Sequence, residues 1–326
     1  IKSDLFFDIS PNPREDEVSV GCKKYKDGSH DAIIAIGGGS AMDGGKLICL
    51  TANNDIPLRD FEFELTPPKI SKDNPFPKII TIPTTAGTGA ETEITAMVTY
   101  LKEGMKFCMW HPDARPVLAL VDPELTLGLP PSLTAWTGVD AMVHAIEGYC
   151  VPGFNPLCDG SAIESLSLIS KSLYLAVEEP KNLVARGGMH VGSYLGGVAF
   201  LKGLGLVHAI SHMVGAEFNT QHGLTNAIIL PVVLRYNLSG MDEKVKRMSE
   251  AMQFEDHSIE AFITNIEKML DRLNIPKSLS EIGVPEDCVE RIAKKAMKDQ
   301  AYATNPKIAT LEEVKEMTLA SIKKAR

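Results

Sequence analysis

A change of texture near Leu129 constrains this chain more than any other feature. Before it, short apolar runs alternate with turns; after it, apolar residues recur at helical spacing in one long segment after another. Ala32–Ile36 (AIIAI) runs straight into Gly-Gly-Gly-Ser, Lys78–Ile82 (KIITI) into Pro-Thr-Thr-Ala-Gly-Thr-Gly, and Pro116–Asp122 (PVLALVD) forms a third run. Short, continuous, β-branched runs predict strands buried on both faces, hence a parallel sheet. Ser40–Ala52 between the first two reads as a helix. This βαβ order predicts a doubly wound α/β domain over residues 1–127. Beyond it, Ser132–Tyr149, Cys158–Val177, Leu183–Phe200, Val207–Phe218, Thr225–Asn237, Asp242–Met252, Ser258–Leu273 and two later segments predict an all-helical domain over 128–326. Pro130 and Pro131 stand at the boundary, where a first-turn proline suits a helix start.

Charge and cysteine usage exclude several classes. The net charge of -9 opposes nucleic-acid binding, which needs a basic footprint, and supplies no basic patch for a membrane surface. Within so acidic a chain, a phosphate-bearing ligand needs a local cradle of backbone N–H groups or a placed lysine. The six cysteines, Cys22, Cys49, Cys108, Cys150, Cys158 and Cys288, are scattered without a CxxC pair, which predicts reduced, mostly buried thiols and a cytoplasmic compartment. No apolar run approaches the ~20 residues of a spanning helix, and no signal peptide shows at the first residues given.

Two loops are phosphate-binding candidates. IAIGGGSAMDGGK places three glycines between a strand and a helix, where the backbone approaches a ligand closely and the helix start offers unpaired N–H groups. The plainer reading is a tight turn with Ser40 as N-cap and Asp43 as its capping-box partner. Pro83–Glu91 (PTTAGTGAE) follows a strand in the same way, with hydroxyls at Thr84, Thr85 and Thr88. Lys106, after the turn in KEGMK, has the reach for a ribose or phosphate; a solvated lysine is the plain alternative.

The strongest chemical signal lies in the second domain. In GVDAMVHAIEGY, Asp140 and His144 are four apart and share one helix face. In GLGLVHAISHMVGAEFNTQHG, His208 and His212 repeat that spacing, and His222 follows a turn at Asn219–Gln221. Four of the eight histidines of the chain fall in these two segments. A lone histidine on an apolar helix is ordinarily a hydrogen-bonded core residue. A carboxylate set with several imidazoles in Gly/Ala-rich helices is different, because buried unpaired charge is costly and a divalent cation compensates it. Nitrogen with one hard oxygen suits Fe(II) or Zn(II) without choosing between them. Such an ion polarises an alcohol oxygen and prepares hydride loss.

These motifs in this order resemble the iron-containing (group III) alcohol dehydrogenase family. The resemblance runs from FFDISPNP through IAIGGGSAMDGGK, IPTTAGTGAE and ALVDPELTLGLPPSLTAWTGVDAMVHAIEGY to GLGLVHAISHMVGAEFNTQHGLTNAIILP and ATNPKIATLEEV, which is essentially the whole chain. It implies an N-terminal α/β dinucleotide-binding, Rossmann-like domain plus an all-α C-terminal metal-binding domain, the dehydroquinate synthase-like architecture. The implied metal ligands are Asp140, His144, His208 and His222, holding Fe(2+), with Zn(2+) as the alternative. Implied contacts to NAD or NADP fall on Gly38, Gly39, Ser40, Thr84, Thr85, Thr88 and Lys106, with Asp43 beside them on the glycine loop. His212 takes a position near nicotinamide and substrate, suited to proton relay. Phe200 and the Tyr149–Phe154 loop are expected to wall the substrate cleft. The implied reaction moves a hydride between NAD(P) and a small primary alcohol, diol or aldehyde, in a cytoplasmic homodimer or higher homo-oligomer without nucleic-acid or membrane partners.

Three departures from the family pattern stand out. The family's first strand and helix, which precede FFDISPNP and bear on NAD-versus-NADP choice, are not among the residues given, and the true N-terminus is expected to lie upstream. Glu93 stands where relatives place a threonine near the cofactor, and a carboxylate there is expected to point away or to weaken binding. Tyr100 stands where relatives place an aspartate. The rival readings are a non-redox NAD- and metal-dependent cyclase of the dehydroquinate synthase type, whose substrate calls for basic residues this chain lacks around the metal, a zinc-binding glycerol dehydrogenase relative, and a non-catalytic relative.

Overall fold

A computed structural model describes residues 2–326, which divide into two compact units. The first takes the residues up to Thr85 together with Ala90–Leu125; the second takes Ala86–Gly89 together with Thr126–Arg326.

In the first unit, helix α1 (Glu15–Asp27) leads to strand β1 (Ala32–Gly37), helix α2 (Gly39–Ala52) and strand β2 (Lys78–Pro83). A hairpin of β3 (Thr95–Tyr100) and β4 (Met105–Trp110) follows, then the short β5 (Leu118–Ala119). The parallel sheet has the order β1-β2-β5, and β3 with β4 forms a separate antiparallel pair. The parallel expectation holds. The register pairs Ala32 with Lys78 and Gly37 with Pro83, so the glycine loop and the Pro-Thr-Thr loop leave the sheet at the same end. That is the end where ligands bind in doubly wound sheets.

Burial of the strands on both faces does not hold for β1. Ile34 and Ile36 are 57% and 58% exposed, while Ala35 between them is buried on the face that packs against Gly45 of α2. The third run is also shorter as a strand than expected. Only Leu118 and Ala119 join the ladder, flanked by single bonds from Val117 N to Ile79 O and Leu120 N to Thr81 O. Helix α1 and strand β4 are additions. In α1 the buried set is only Val18, Gly21 and Tyr25 within a strongly polar segment, which hides its periodicity. Leu47, Phe61, Ile79, Val98 and Met109 centre the core of this unit.

The second unit is helical: α3 (Pro131–Cys150), α4 (Pro156–Glu178), α5 (Leu183–Ala199), α6 (Leu206–Phe218), α7 (His222–Asn237), α8 (Asp242–Ala251), α9 (Ile259–Arg272), α10 (Val289–Ala296), the one-turn α11 (Gln300–Ala303) and α12 (Leu311–Lys323). Helix α3 is its axis, packed against α4, α5 and α7, and every residue from Thr137 to Cys150 is buried. A helix apolar on all sides belongs inside a bundle, so a polar side chain projecting from α3 must find a partner there.

Helix α7 starts three residues before the expected Thr225. Asn219 ends α6 in the left-handed conformation, and the Gln221 side chain accepts Leu224 N at 2.6 Å, capping a helix that begins at His222. All six thiols are free; five are buried and Cys22 is half-buried. No single helix among the described residues is long and apolar enough to cross a membrane.

Candidate metal centre

Three helices of the second unit bring the ligand-type residues together. Asp140 and His144 lie one turn apart on α3, His208 sits near the start of α6, and His222 opens α7. Asp140 Oδ1 is 3.9 Å from His144 Nε2, 3.9 Å from His208 Nε2 and 3.6 Å from His222 Nε2. One ligand atom from each of the four residues lies within 4.8 Å of all the others. His144 and His208 stack with centroids 4.7 Å apart, and the Phe200 ring lies 4.9 Å from His144.

The chemistry of this donor set fits a divalent cation. His144 Nδ1 donates to the Gly87 carbonyl at 3.3 Å, and His208 Nδ1 donates to Glu147 Oε2 at 2.7 Å, so in both rings Nε2 keeps its lone pair. Burial, opposed by the nearby Asp140 charge, holds the His144 imidazole down to about 4, which keeps it neutral. Burial also pulls on His208, but the hydrogen bond and charge of Glu147 outweigh it and leave that ring raised. Asn226, one turn after His222, presses its amide into the cluster. Nδ2 donates to Asp140 Oδ1 at 2.7 Å and stands 3.1 Å and 3.2 Å from His208 and His222 Nε2, while its buried Oδ1 has no hydrogen-bond partner. Ligand atoms from four residues thus converge within 4.8 Å of one another, and ligand distances of about 2.0–2.2 Å suit a small divalent ion there.

His212 stands outside the four-atom group. It stacks on His222 with centroids 5.5 Å apart, and its Nδ1 lies 2.9 Å from Asp299 Oδ2. Glu147, Asn226 and Asp299 are the members that spacing alone had not singled out. Glu147 and Asn226 carried a signal, since they follow His144 by three and His222 by four on the same helix faces. Asp299 is 87 residues from His212, and nothing local points to it.

The nucleotide candidates fall mostly in the first unit. Gly38 is the N-cap of α2 and Gly39 its first residue. Gly37 has φ +147°, and a Cβ there would lie 2.6 Å from that of Ala41, so the loop demands glycine at this position. Thr84 N donates to Gly37 O at 2.8 Å and Thr85 lies against Gly38, which joins the two loops. Ser40 is not the N-cap. The helix begins one residue earlier without a side-chain cap, and Ser40 Oγ accepts Asn12 N at 3.3 Å instead; Asp43 accepts a bond from the Met97 backbone rather than closing a capping box. Lys106 is buried on β4 beside Asp43. Thr88 belongs with Ala86–Gly89 to the helical unit. Glu93 turns toward Lys46 and receives the Thr95 hydroxyl.

A parallel α/β unit with a glycine loop, and a helical unit with one carboxylate and three imidazoles converging, are the marks of a metal- and nucleotide-dependent enzyme. The comparisons with known proteins make the class specific. Residues 1–123 match the iron-containing alcohol dehydrogenase model, and residues 134–322 match the C-terminal model of the Fe-containing alcohol dehydrogenase family. The chain belongs to this family. It is 34% identical over 320 residues to the NAD-dependent methanol dehydrogenase of Bacillus methanolicus, covering 96% of this chain and 83% of that protein. It is 36% identical over 322 residues to the lactaldehyde reductase of Escherichia coli (strain K12), covering 96% and 82%. The solved structure of a 1,3-propanediol oxidoreductase superposes with a TM-score of 0.92 at 32% identity, covering 98% of this chain and 84% of that one. These likenesses support alcohol and aldehyde redox chemistry rather than the cyclase reading.

Proposed function

We propose that this enzyme oxidises small primary alcohols or diols, and reduces the matching aldehydes, with NAD or NADP and one divalent ion, iron or zinc, held by Asp140, His144, His208 and His222. The observation that carries the reading is the set of four ligand atoms within 4.8 Å of one another, three of them on buried residues. A bound divalent ion supplies Lewis-acid polarisation of the alcohol oxygen, and the nicotinamide supplies the hydride acceptor or donor.

The chain's own residues do the rest. The Gly87 carbonyl and Glu147 fix the tautomers of His144 and His208. Phe200 packs its ring against His144. Asp299 accepts from His212 Nδ1, which leaves Nε2 as the atom that takes up the hydroxyl proton. Gly38, Gly39, Ser40, Asp43, Thr84, Thr85, Thr88 and Lys106 are the residues we assign to the nucleotide, with the α2 start offering N–H groups to its phosphates. Six free thiols support a reducing, cytoplasmic setting. A homodimer or larger homo-oligomer completes the proposal, by the habit of the family.

The test is an anaerobic assay of NADH and NADPH oxidation with short aldehydes, on protein reconstituted with Fe(II) or Zn(II), beside His208→Ala. Metal-dependent turnover that the substitution abolishes is the expected result, and the pairings identify metal and nucleotide. Absence of turnover with every pairing, despite bound metal, would overturn the reading.

A further inference from the structure

We propose that Glu147 is the positioning residue that makes His208 a metal ligand and ties the metal centre to the first turn of α6. The proposal rests on the metal reading above. Glu147 follows His144 by three residues and Asp140 by seven on α3, so all three project from one face of the same buried helix. Its carboxylate is buried and both of its oxygens are engaged. Oε2 meets His208 Nδ1 at 2.7 Å, and Oε1 accepts Val207 N at 2.8 Å. The loop before α6 is shaped to this carboxylate: a Cβ on Gly205 would lie 2.7 Å from Glu147 Oε1 and equally close to Asn305 Oδ1, which itself accepts Leu206 N.

A carboxylate only accepts hydrogen bonds. The His208 proton must therefore sit on Nδ1, and Nε2 faces the pocket with its lone pair. The negative charge also raises the basicity of the ring as a ligand, as carboxylates behind metal-binding histidines do. The position at the start of α6 stabilises the charge through the N–H groups and dipole of that helix. One side chain therefore serves two donors, and the isosteric amide cannot. In Glu147→Gln the NH2 end must face either Val207 N–H or His208 Nδ1. In the second arrangement the ring proton moves to Nε2 and blocks the ligand atom.

The experiment is equilibrium binding of Co(II), read against a chelating indicator, to the metal-free full chain, its Glu147→Gln and Glu147→Asp variants, and His208→Ala as reference. We expect Glu147→Gln to weaken Co(II) binding by roughly 10- to 100-fold and to alter the visible absorption of the bound cobalt. Glu147→Asp keeps an acceptor-only group with shorter reach and is expected to fall between. Should Glu147→Gln fold poorly, Glu147→Asp carries the same reading of affinity and spectrum. Wild-type affinity and an unchanged cobalt spectrum in whichever variant folds would make Glu147 a helix cap only, whatever happens to the melting temperature. Failure of the unaltered chain to bind Co(II) would instead overturn the metal reading itself.

Discussion

The two units each bury a cluster of ionisable groups, and burial acts on them with opposite consequences. Around α3, α6 and α7 the imidazoles of His144, His208 and His212 are buried together with the carboxyls of Asp140, Glu147 and Asp299. Burial favours the neutral form of His144, which is the form with a free lone pair, while Glu147 outweighs burial at His208. In the α/β unit the group is the buried Glu91 with the half-buried Asp43 and Glu93, set around the buried Lys46 and Lys106. Burial again favours the neutral form, pushing Asp43 up to about 6 and Glu93 up to about 7 even though Lys46 pulls both down. Here neutrality means a bound proton, so this cluster changes charge near neutral pH. The same desolvation builds a cation site from histidines and a pH-sensitive site from carboxyls.

The largest effect we expect comes from breaking the first cluster. Asp140→Ala removes the one carboxylate among the four ligands and should lower kcat/KM for alcohol oxidation by about 10³-fold or more, since metal polarisation is worth several kcal/mol. Metal content by atomic absorption should fall with it, while the metal-free protein should melt no lower, because a buried charge is gone. Full metal content with full turnover in this variant would remove the pocket from consideration. The second cluster predicts a contrasting loss. Lys46 is buried, donates to Thr95 O at 2.8 Å and faces the three carboxyls, so Lys46→Met should cost on the order of 3–5 kcal/mol in chemical denaturation. Co(II) affinity should stay at the wild-type level; a parallel fall would show that the clusters are not independent.

The two clusters also differ in how far the sequence revealed them. Asp140 with His144 and His208 with His212 are helical neighbours, so a spacing of four residues placed each pair on one face without knowledge of the fold. The same arithmetic reaches Glu147 and Asn226. The α/β cluster is only partly local: Asp43 and Lys46 stand three apart on α2, whereas Glu91, Glu93 and Lys106 come from later segments. Lys106 reads as a surface residue after a turn, and it is buried because β4 pairs with β3, setting it opposite Thr99 and near Asp43. That pairing joins residues through a hairpin whose polar, irregular sequence gave no period to read. The β1–α2–β2 unit was legible because β-branched runs and glycine turns are local signals. The exposed face of β1 was not, because burial depends on what packs above the strand.

A pH series separates the clusters next. An acid that titrates higher in the folded chain than in the unfolded one holds more protons when folded, so stability falls as pH rises through that interval. From ordinary values of 3.8 and 4.5, Asp43 and Glu93 are raised to about 6 and about 7. The associated loss should therefore begin near pH 4 and be complete a little above pH 7, at up to roughly 2–3 kcal/mol per group. Melting temperature followed from pH 5 to pH 8.5 should decline, and Glu93→Gln should flatten the upper part of the curve. A Glu93→Gln curve that runs parallel to wild type throughout would show that Glu93 does not titrate in that window.

The smallest effect concerns the nucleotide. Glu93 turns toward Lys46 and Thr95 rather than standing alone, so its charge is partly compensated and its influence on a bound phosphate should be modest. One unit charge about 4–8 Å from a phosphate is worth about 0.5–1 kcal/mol when water screens it fully, which corresponds to a few-fold in Kd. The charge is present only when the carboxyl is ionised. NADH titrations should therefore give wild type and Glu93→Gln nearly equal affinity at pH 6, with Glu93→Gln binding about threefold more tightly at pH 8.5. Equal affinities at both pH values would place Glu93 outside the electrostatic reach of the nucleotide. A constant advantage at both would make its effect steric, since only a titrating charge can disappear on going from pH 8.5 to pH 6.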